Sequence, residues 1–298
     1  MNTVLSINNV VKFYGPIQAL KGVSFDVPEG CVFGILGPNG SGKTTMLGIL
    51  LDVLKPNAGG FIWFNQKDGA EQRKHIGSLL ETPNFYHYLS GYNNLKITQS
   101  ISGRGNEEGI HIALEKVKLT ERKHSKFSTY SLGMKQRLGI AAVLLGNPKV
   151  LLLDEPSNGL DPVGIAEIRE LIVELKNQGH TIIMASHLLD EVEKVCTHVA
   201  ILKTGMLLTS GAVAEVLMDE DIVELSANDL NSLAAILAQF GKNISIDKKQ
   251  NTVTLLLPKG SAKLEEINAY CFNKGITLNH LILKKKRLEA KFFELTNN

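Results

Sequence analysis

The chain has 298 residues, 44% hydrophobic and 21% charged, an ordinary globular composition with room for one large domain or two of usual size. A formal net charge of +2 gives no electrostatic footprint for nucleic acid. Three widely spaced cysteines, Cys31, Cys196 and Cys271, offer neither a disulfide framework nor a metal spacing, and fit a reducing cytoplasm. The opening MNTVLSINNVVKFYG lacks the basic start and apolar centre of a secretory leader. No apolar run reaches the roughly 18 residues that cross a bilayer, so a membrane role would need spans from another chain.

Val4 to Val10 and Val23 to Val27 alternate as strands, and Pro28-Glu29-Gly30 turns the second into an apolar run of strand length, Cys31 to Leu36. Next comes Gly37-Pro38-Asn39-Gly40-Ser41-Gly42-Lys43-Thr44-Thr45, and Thr45 to Leu54 has the apolar spacing of a helix. Gly-x-x-x-x-Gly-Lys-Ser/Thr between a strand and a helix is a phosphate-binding P-loop. Its glycines let the backbone approach an anion, and its N–H groups and the helix dipole hold a triphosphate. Lys43 is expected to reach the β- and γ-phosphates, and the Thr44 hydroxyl to ligate Mg²⁺. The loop alone names a nucleotide and not a task, since kinases, GTPases, helicases and transporter motors share it.

Phe61 to Phe64 reads as a strand, and Asn93 to Lys118 as helical stretches cut by Gly103, Gly105 and Gly109. Gly133 to Leu145 is a helix, and Lys149 to Leu153 a buried strand ending in Asp154-Glu155. Carboxylates at the carboxyl end of a parallel strand lie on the ligand edge of such a sheet. Asp154 is therefore expected to hold Mg²⁺, and Glu155 to take a proton from the water that attacks the γ-phosphate. Pro162 to Lys176 is a helix with Pro at its start and Gly179 beyond its end. Thr181 to Ala185 is a strand ahead of His187, and Ala200 to Leu208 a hairpin turning at Thr204-Gly205. Past about Gly211 the texture changes. Glu215 to Ala238 reads as helix, Val253 to Leu257 as strand, Leu264 to Lys274 as helix, Leu281 to Lys284 as strand and Leu288 to Leu295 as a last helix. The charged run Lys284 to Arg287 reads as a solvated face. The fold class is α/β: a P-loop core with an antiparallel β layer, followed by a small α+β appendage.

In order, these features resemble the nucleotide-binding subunit of ATP-binding-cassette (ABC) transporters over about residues 4 to 210. Tyr14 stands where the family places an aromatic against adenine. Tyr130 to Arg137, YSLGMKQR, is similar to the signature Leu-Ser-Gly-Gly-Gln-x-Gln-Arg; Ser131 and Gly133 match, while Tyr130, Leu132 and Met134 depart. Ser157 to Asp161 looks like the D-loop, and His187 like the switch histidine at the γ-phosphate. Glu81 falls where the family usually has a Gln near Mg²⁺ or the attacking water. Glu81 and YSLGMKQR together resemble the bacitracin- and lantibiotic-type exporters and immunity transporters.

The resemblance implies ATP and Mg²⁺ as cofactors. It implies ATP binding by Tyr14, residues 37–45, Ser131 and Gly133, metal binding by Thr44, Asp154 and Glu81, and catalysis by Lys43, Glu155 and His187. It implies an ABC domain over 1–211 with a helical subdomain at about 88–146, and an α+β accessory domain over 212–298, a part that differs within the family and in some members regulates or dimerises. The partners would be a second copy meeting this one head to tail and a transmembrane permease at the cytoplasmic face of the membrane, with no nucleic acid. The aromatic stretch Phe85 to Tyr92 either touches the permease or packs locally. The cargo would be an antimicrobial peptide, a drug or a lipid-like molecule. The alternative is a soluble ABC ATPase acting on a nucleic-acid or ribosomal partner, although a second cassette, a coiled-coil insertion and zinc-binding cysteines are not visible. A GTPase would need an Asn-Lys-x-Asp motif, which is missing.

Overall fold

Continuous apolar runs fill the centre of the first of two units into which the chain divides, Met1–Ala212 and Val213–Asn298. The computed structural model describes residues 2–66, 69–80, 83–217, 220–241, 243–258, 260–284, 288 and 292. The first unit opens with β1 (Thr3–Tyr14), β2 (Ile17–Pro28), β3 (Val32–Leu36), α1 (Lys43–Leu50), β4 (Ala58–Trp63), α2 (Gly69–Arg73) and β5 (Ile76–Leu79). Three helices follow, α3 (Gly91–Ser102), α4 (Glu107–Lys116) and α5 (Leu132–Leu144). The unit closes with β6 (Val150–Asp154), α6 (Pro162–Asn177), β7 (Thr181–Ser186), α7 (Leu189–Val195), β8 (His198–Lys203) and β9 (Met206–Ala212).

Two sheets result. The antiparallel layer has the order β2-β1-β4, and the larger sheet the order β5-β6-β7-β3-β8-β9, parallel except for the β8–β9 hairpin. Every residue of β3, β6 and β7 is buried, as expected of strands covered on both faces. One apolar cluster joins both sheets to α1, with Leu5, Val10 and Val23 from the layer, Met46, Leu47 and Leu50 from α1, and Phe33, Leu152 and Ile183 from the parallel sheet. Truncating a side chain such as Leu47 would cost about 2–5 kcal/mol. Leu36 pairs with Ser186 and Asp154 with Ala185, so β3, β6 and β7 end level and present one carboxyl edge. That edge positions the site.

The helical stretch at 93–118 is α3 and α4, with Gly103 in the left-handed region ending α3. α3, α4 and α5 pack on one another. Side chains cap each start: Ser90 for α3, Asn106 for α4, Ser131 for α5 and Asp161 for α6. α1 is shorter than its apolar spacing predicts. Val53 and Leu54 donate backbone hydrogen bonds to the Gly48 carbonyl, folding the chain back over the helix end.

The second unit comprises α8 (Val213–Leu217), β10 (Glu220–Ala227), α9 (Leu230–Leu237), β11 (Asn243–Asp247), β12 (Thr252–Pro258), α10 (Leu264–Asn273) and β13 (Leu278–Lys284). Its sheet is antiparallel with the order β11-β12-β10-β13, so β10 to β13 with α9 and α10 form a β-α-β-β-α-β ferredoxin-like arrangement. Val223, Leu225, Val253 and Leu255 pack with Leu233, Leu237, Ile267 and Cys271. The expected helix over Glu215 to Ala238 is corrected here. Val223, Leu225 and Ala227 alternate into this core as a strand, and Asp229 starts a separate helix by accepting from the Asn231 and Ser232 N–H groups. The last expected helix, Leu288 to Leu295, lies outside the described residues except at Leu288 and Phe292.

All three cysteines are free and buried. Burial pushes the Cys31 thiol up to about 12 and raises Cys196 as well, so they act as small apolar groups.

Candidate active site

From Leu36 the chain turns through residues 37–45 into α1. Glycine is required at two points. A Cβ on Gly37 would lie 2.3 Å from Ser41 Oγ and 2.4 Å from the Leu202 carbonyl oxygen. Gly42 sits at φ 103°, where a Cβ would meet the Ala19 carbonyl at 2.8 Å. The Ser41 N–H donates to Pro38 O at 3.1 Å, and the Gly205 N–H to Ser41 O at 3.1 Å, pinning the loop. Lys43 is buried and folds back, its Nζ donating to Gly37 O at 2.8 Å and Pro38 O at 3.3 Å. Ser41 Oγ is buried with no hydrogen-bond partner. A cradle of loop N–H groups, a lysine and an unspent hydroxyl suits phosphate oxygens.

Across the edge, Thr44 Oγ1 donates to Asp154 Oδ2 at 2.9 Å. Glu155 stands at φ 48°, a left-handed conformation that costs a non-glycine residue of order 1–3 kcal/mol. Its N–H donates to Ala185 O at 3.0 Å, and its carbonyl accepts from the Asn158 N–H at 3.1 Å. The carboxylate is thereby turned between two basic groups: Oε1 is 3.6 Å from Lys43 Nζ, and Oε2 is 2.8 Å from His187 Nδ1. Residues from the ends of β3, β6 and β7 meet here because the strands end level.

Tyr14 ends β1 and is 45% exposed, and Lys12 holds its Nζ 5.3 Å from the ring centroid. The same ammonium donates to Lys55 O at 2.7 Å. Ser131 caps α5, its Oγ accepting from the Met134 N–H at 3.2 Å, and Gly133 lies in the first turn. Among the described residues no hydrogen bond or ion pair joins Ser131 or Gly133 to the P-loop cluster. Glu81 lies outside the described residues.

A family model described as ABC transporter matches residues 20–158. The chain is also 39% identical over 304 residues to the ABC transporter ATP-binding protein YhcH of Bacillus subtilis, covering 99% of this chain and 97% of that one. This chain belongs to the ATP-binding subunits of ABC transporters. The bacitracin transport ATP-binding protein BcrA of Enterococcus faecalis is 34% identical over 300 residues, 99% of this chain and 97% of that protein. Among solved structures, cbiO1 from Clostridium perfringens, part of the ABC transporter complex cbiONQ, matches with a TM-score of 0.66 at 32% identity, over 72% of this chain and 91% of that one. As an ABC ATPase the chain binds nucleotide and hydrolyses ATP, and subunits of this kind work with membrane permease components. The nucleic-acid alternative has no support from these matches.

In this ABC subunit the fold gathers Lys43, Thr44, Asp154, Glu155 and His187, and leaves Tyr14, Ser131 and Gly133 apart from that cluster. Lys12 was missed by sequence reasoning. Its signal was the i, i+2 spacing to Tyr14, which puts both side chains on one face of a strand. In the aromatic stretch, Phe85 and His87 pack on Phe127, whereas Tyr86 and Tyr88 are exposed and pair with each other at 5.9 Å.

Proposed function

We propose that this subunit drives an exporter of an antimicrobial peptide, a drug or a lipid-like molecule, working as a head-to-tail pair on the cytoplasmic face of the membrane beneath a separate permease. The observation that carries the reading is the Lys43–Glu155–His187 cluster beside the Thr44–Asp154 pair at one sheet edge. Likeness to BcrA, named for bacitracin transport, supports the cargo class. Among the described residues no helix is long and apolar enough to cross a membrane, so the path for cargo would come from the permease. Residues 1–211 would be the ATP-binding domain, with the helices of about 88–146 as a subdomain, and 212–298 an accessory domain.

In the proposed pair, residues 37–45 of one copy hold the triphosphate, and Tyr14 stacks on the adenine. Ser131, Gly133 and the α5 N-terminus of the other copy close over the γ-phosphate. Before ATP arrives, Lys43 is spent on Glu155 and loop carbonyls; phosphate oxygens then draw the ammonium away and free the carboxylate. Water attacks the γ-phosphorus as the bond to the bridging oxygen breaks, Glu155 takes the proton, and ADP and phosphate leave. Lys43 and His187 offset the charge that builds on the γ-phosphoryl oxygens. Thr44, Asp154 and Glu81 would hold Mg²⁺, whose role is to neutralise the β- and γ-phosphates. Their hard oxygen donors suit that ion, which takes its other ligands from phosphate and water. The exposed Tyr86–Tyr88 pair is the proposed contact to the permease.

The test is Glu155→Gln in the full chain. ATP should convert it into a stable dimer by light scattering, with hydrolysis reduced by about 10²–10⁴-fold. A Glu155→Gln protein that hydrolyses ATP at the normal rate would remove Glu155 as the base.

A further inference from the structure

Tyr14 stands at a stiff hairpin tip. It pairs with Ile17 across the two-residue turn Gly15-Pro16, in which Gly15 takes φ 56°. The end of β1 is also stitched to the loop after α1. The Phe13 N–H donates to Asn57 Oδ1 at 2.8 Å, and the Asn57 N–H to Val11 O at 2.8 Å. These bonds fix the backbone at Tyr14 and leave its side chain, nearly half exposed, to be held by something else.

That holder is Lys12. Its ammonium stands over the Tyr14 ring, 5.3 Å from the centroid, within the range in which a cation is drawn to an aromatic face. Lys12 is itself half-buried and anchored, since Nζ donates to Lys55 O at 2.7 Å, beside Pro56 in the same loop that binds Phe13. A carbonyl fixed by one element thus places a charge on the ring of another. With one face of the ring occupied, the other is left for a planar ligand, and an aromatic already held in place loses less freedom when that ligand arrives.

We propose that Lys12 is a positioning residue for the nucleobase, holding the Tyr14 ring as a one-faced stacking platform. It raises the part of nucleotide affinity that the base supplies and leaves the triphosphate and the reacting atoms alone. Every base offers a flat face to such a platform, so Lys12 strengthens binding without choosing between bases. This rests on the reading above that Tyr14 stacks on the base.

The experiment uses the full chain with Lys12→Met, which keeps the apolar stem and removes the charge, together with Lys12→Arg, Tyr14→Ala and the double variant Lys12→Met/Tyr14→Ala. Each is checked by thermal melting, and Lys12→Gln repeats the loss of charge should Lys12→Met melt early. Hydrolysis is followed against ATP concentration. Binding of ATP, GTP and inorganic tripolyphosphate is read in EDTA by competition with a fluorescent nucleotide. Lys12→Met should raise KM for ATP by about 2–5-fold, the scale of one cation–π contact at a partly exposed site, with kcat within about twofold. ATP and GTP should weaken by the same factor, tripolyphosphate should bind as before, and Lys12→Arg should stay near normal. The double variant should be no worse than Tyr14→Ala, since the two side chains act through one contact. Unchanged ATP affinity in Lys12→Met beside weakened affinity in Tyr14→Ala overturns the role of Lys12 alone. So does an equal loss in Lys12→Arg, or a loss that persists in the Tyr14→Ala background. Weaker tripolyphosphate binding would make Lys12 a phosphate charge, and an altered ATP-to-GTP ratio would make it a reader of the base edge; either overturns the positioning role. Unchanged ATP affinity in Tyr14→Ala overturns the stacking reading and this proposal with it.

Discussion

The carboxyl edge of the parallel sheet and the N-terminus of α5 are both suited to anions, yet they are finished to different degrees. At the edge, Glu155 is held between Lys43 and His187, and Lys43 also spends hydrogen bonds on Gly37 and Pro38. At α5, among the described residues, the device is a capped helix start, with Ser131 Oγ accepting from the Met134 N–H. A helix N-terminus is worth roughly 0.3–1 kcal/mol to a nearby anion, too little to hold ATP unaided. On the proposed reading, the edge would bind nucleotide within one copy, whereas α5 would add to a nucleotide held by another copy. In the proposed pair the chain would be half of a site, supplying the chemistry at the edge and part of the enclosure at α5.

The largest break comes at the edge. Lys43→Ala should lower kcat/KM for ATP hydrolysis by about 10²–10³-fold, the cost of losing one preorganised donor to the reacting group. Direct nucleotide binding should weaken in the single copy too, which fluorescent-nucleotide titration would read. Retained affinity would mean that the loop N–H groups alone hold the triphosphate. Ser131→Ala should do the opposite: single-copy binding stays, while ATP-driven pairing and kcat fall, by about fivefold for one neutral donor worth roughly 1 kcal/mol. The same change should cost about 1 kcal/mol in helix capping, visible as a small drop in Tm. Loss of single-copy binding in Ser131→Ala would erase the contrast between the regions. Tyr14→Ala should raise KM by about tenfold with kcat little changed, since stacking on a base is worth roughly 1–3 kcal/mol and serves ground and transition states alike.

The edge was legible in the sequence because each of its parts is a short local pattern with one chemical meaning. A glycine-rich turn ending in Lys43-Thr44, an acidic pair after four apolar residues and a histidine after a strand can be read without a partner. The contacts that depend on distant segments were not legible. Lys12 beside Lys55 and Arg137 near Glu167 are pairings across elements, set by how the elements stack. Two short strands were also overlooked. β5 reads only Ile-Gly-Ser-Leu, too short to show a period, and β11, Asn-Ile-Ser-Ile-Asp, alternates over just five largely exposed residues, a run too short to stand out. In the second unit the run from Glu215 to Ala238 carries apolar residues at both spacings, and only the burial of Val223 and Leu225 against α9 and α10 decides for strand.

The smallest expected effect separates the two histidines that bracket β7. His187, after the strand, is partly exposed and meets a carboxylate, whereas His180, before it, is buried with Nδ1 2.8 Å from the Pro148 carbonyl. A carbonyl can only accept, so Nδ1 carries the proton there. Burial holds the His180 pKa below its usual value, only partly opposed by that hydrogen bond. In the unfolded chain the ring protonates near its ordinary pKa of about 6.5. As pH falls through that value the unfolded state takes up the proton first, so stability declines until the lower folded pKa is reached, and then levels. His180→Asn keeps a donor for Pro148 without a titrating ring. Its Tm should therefore fall less than the parent's between pH 7 and mild acid, and an equal slope in both proteins would place the acid sensitivity elsewhere.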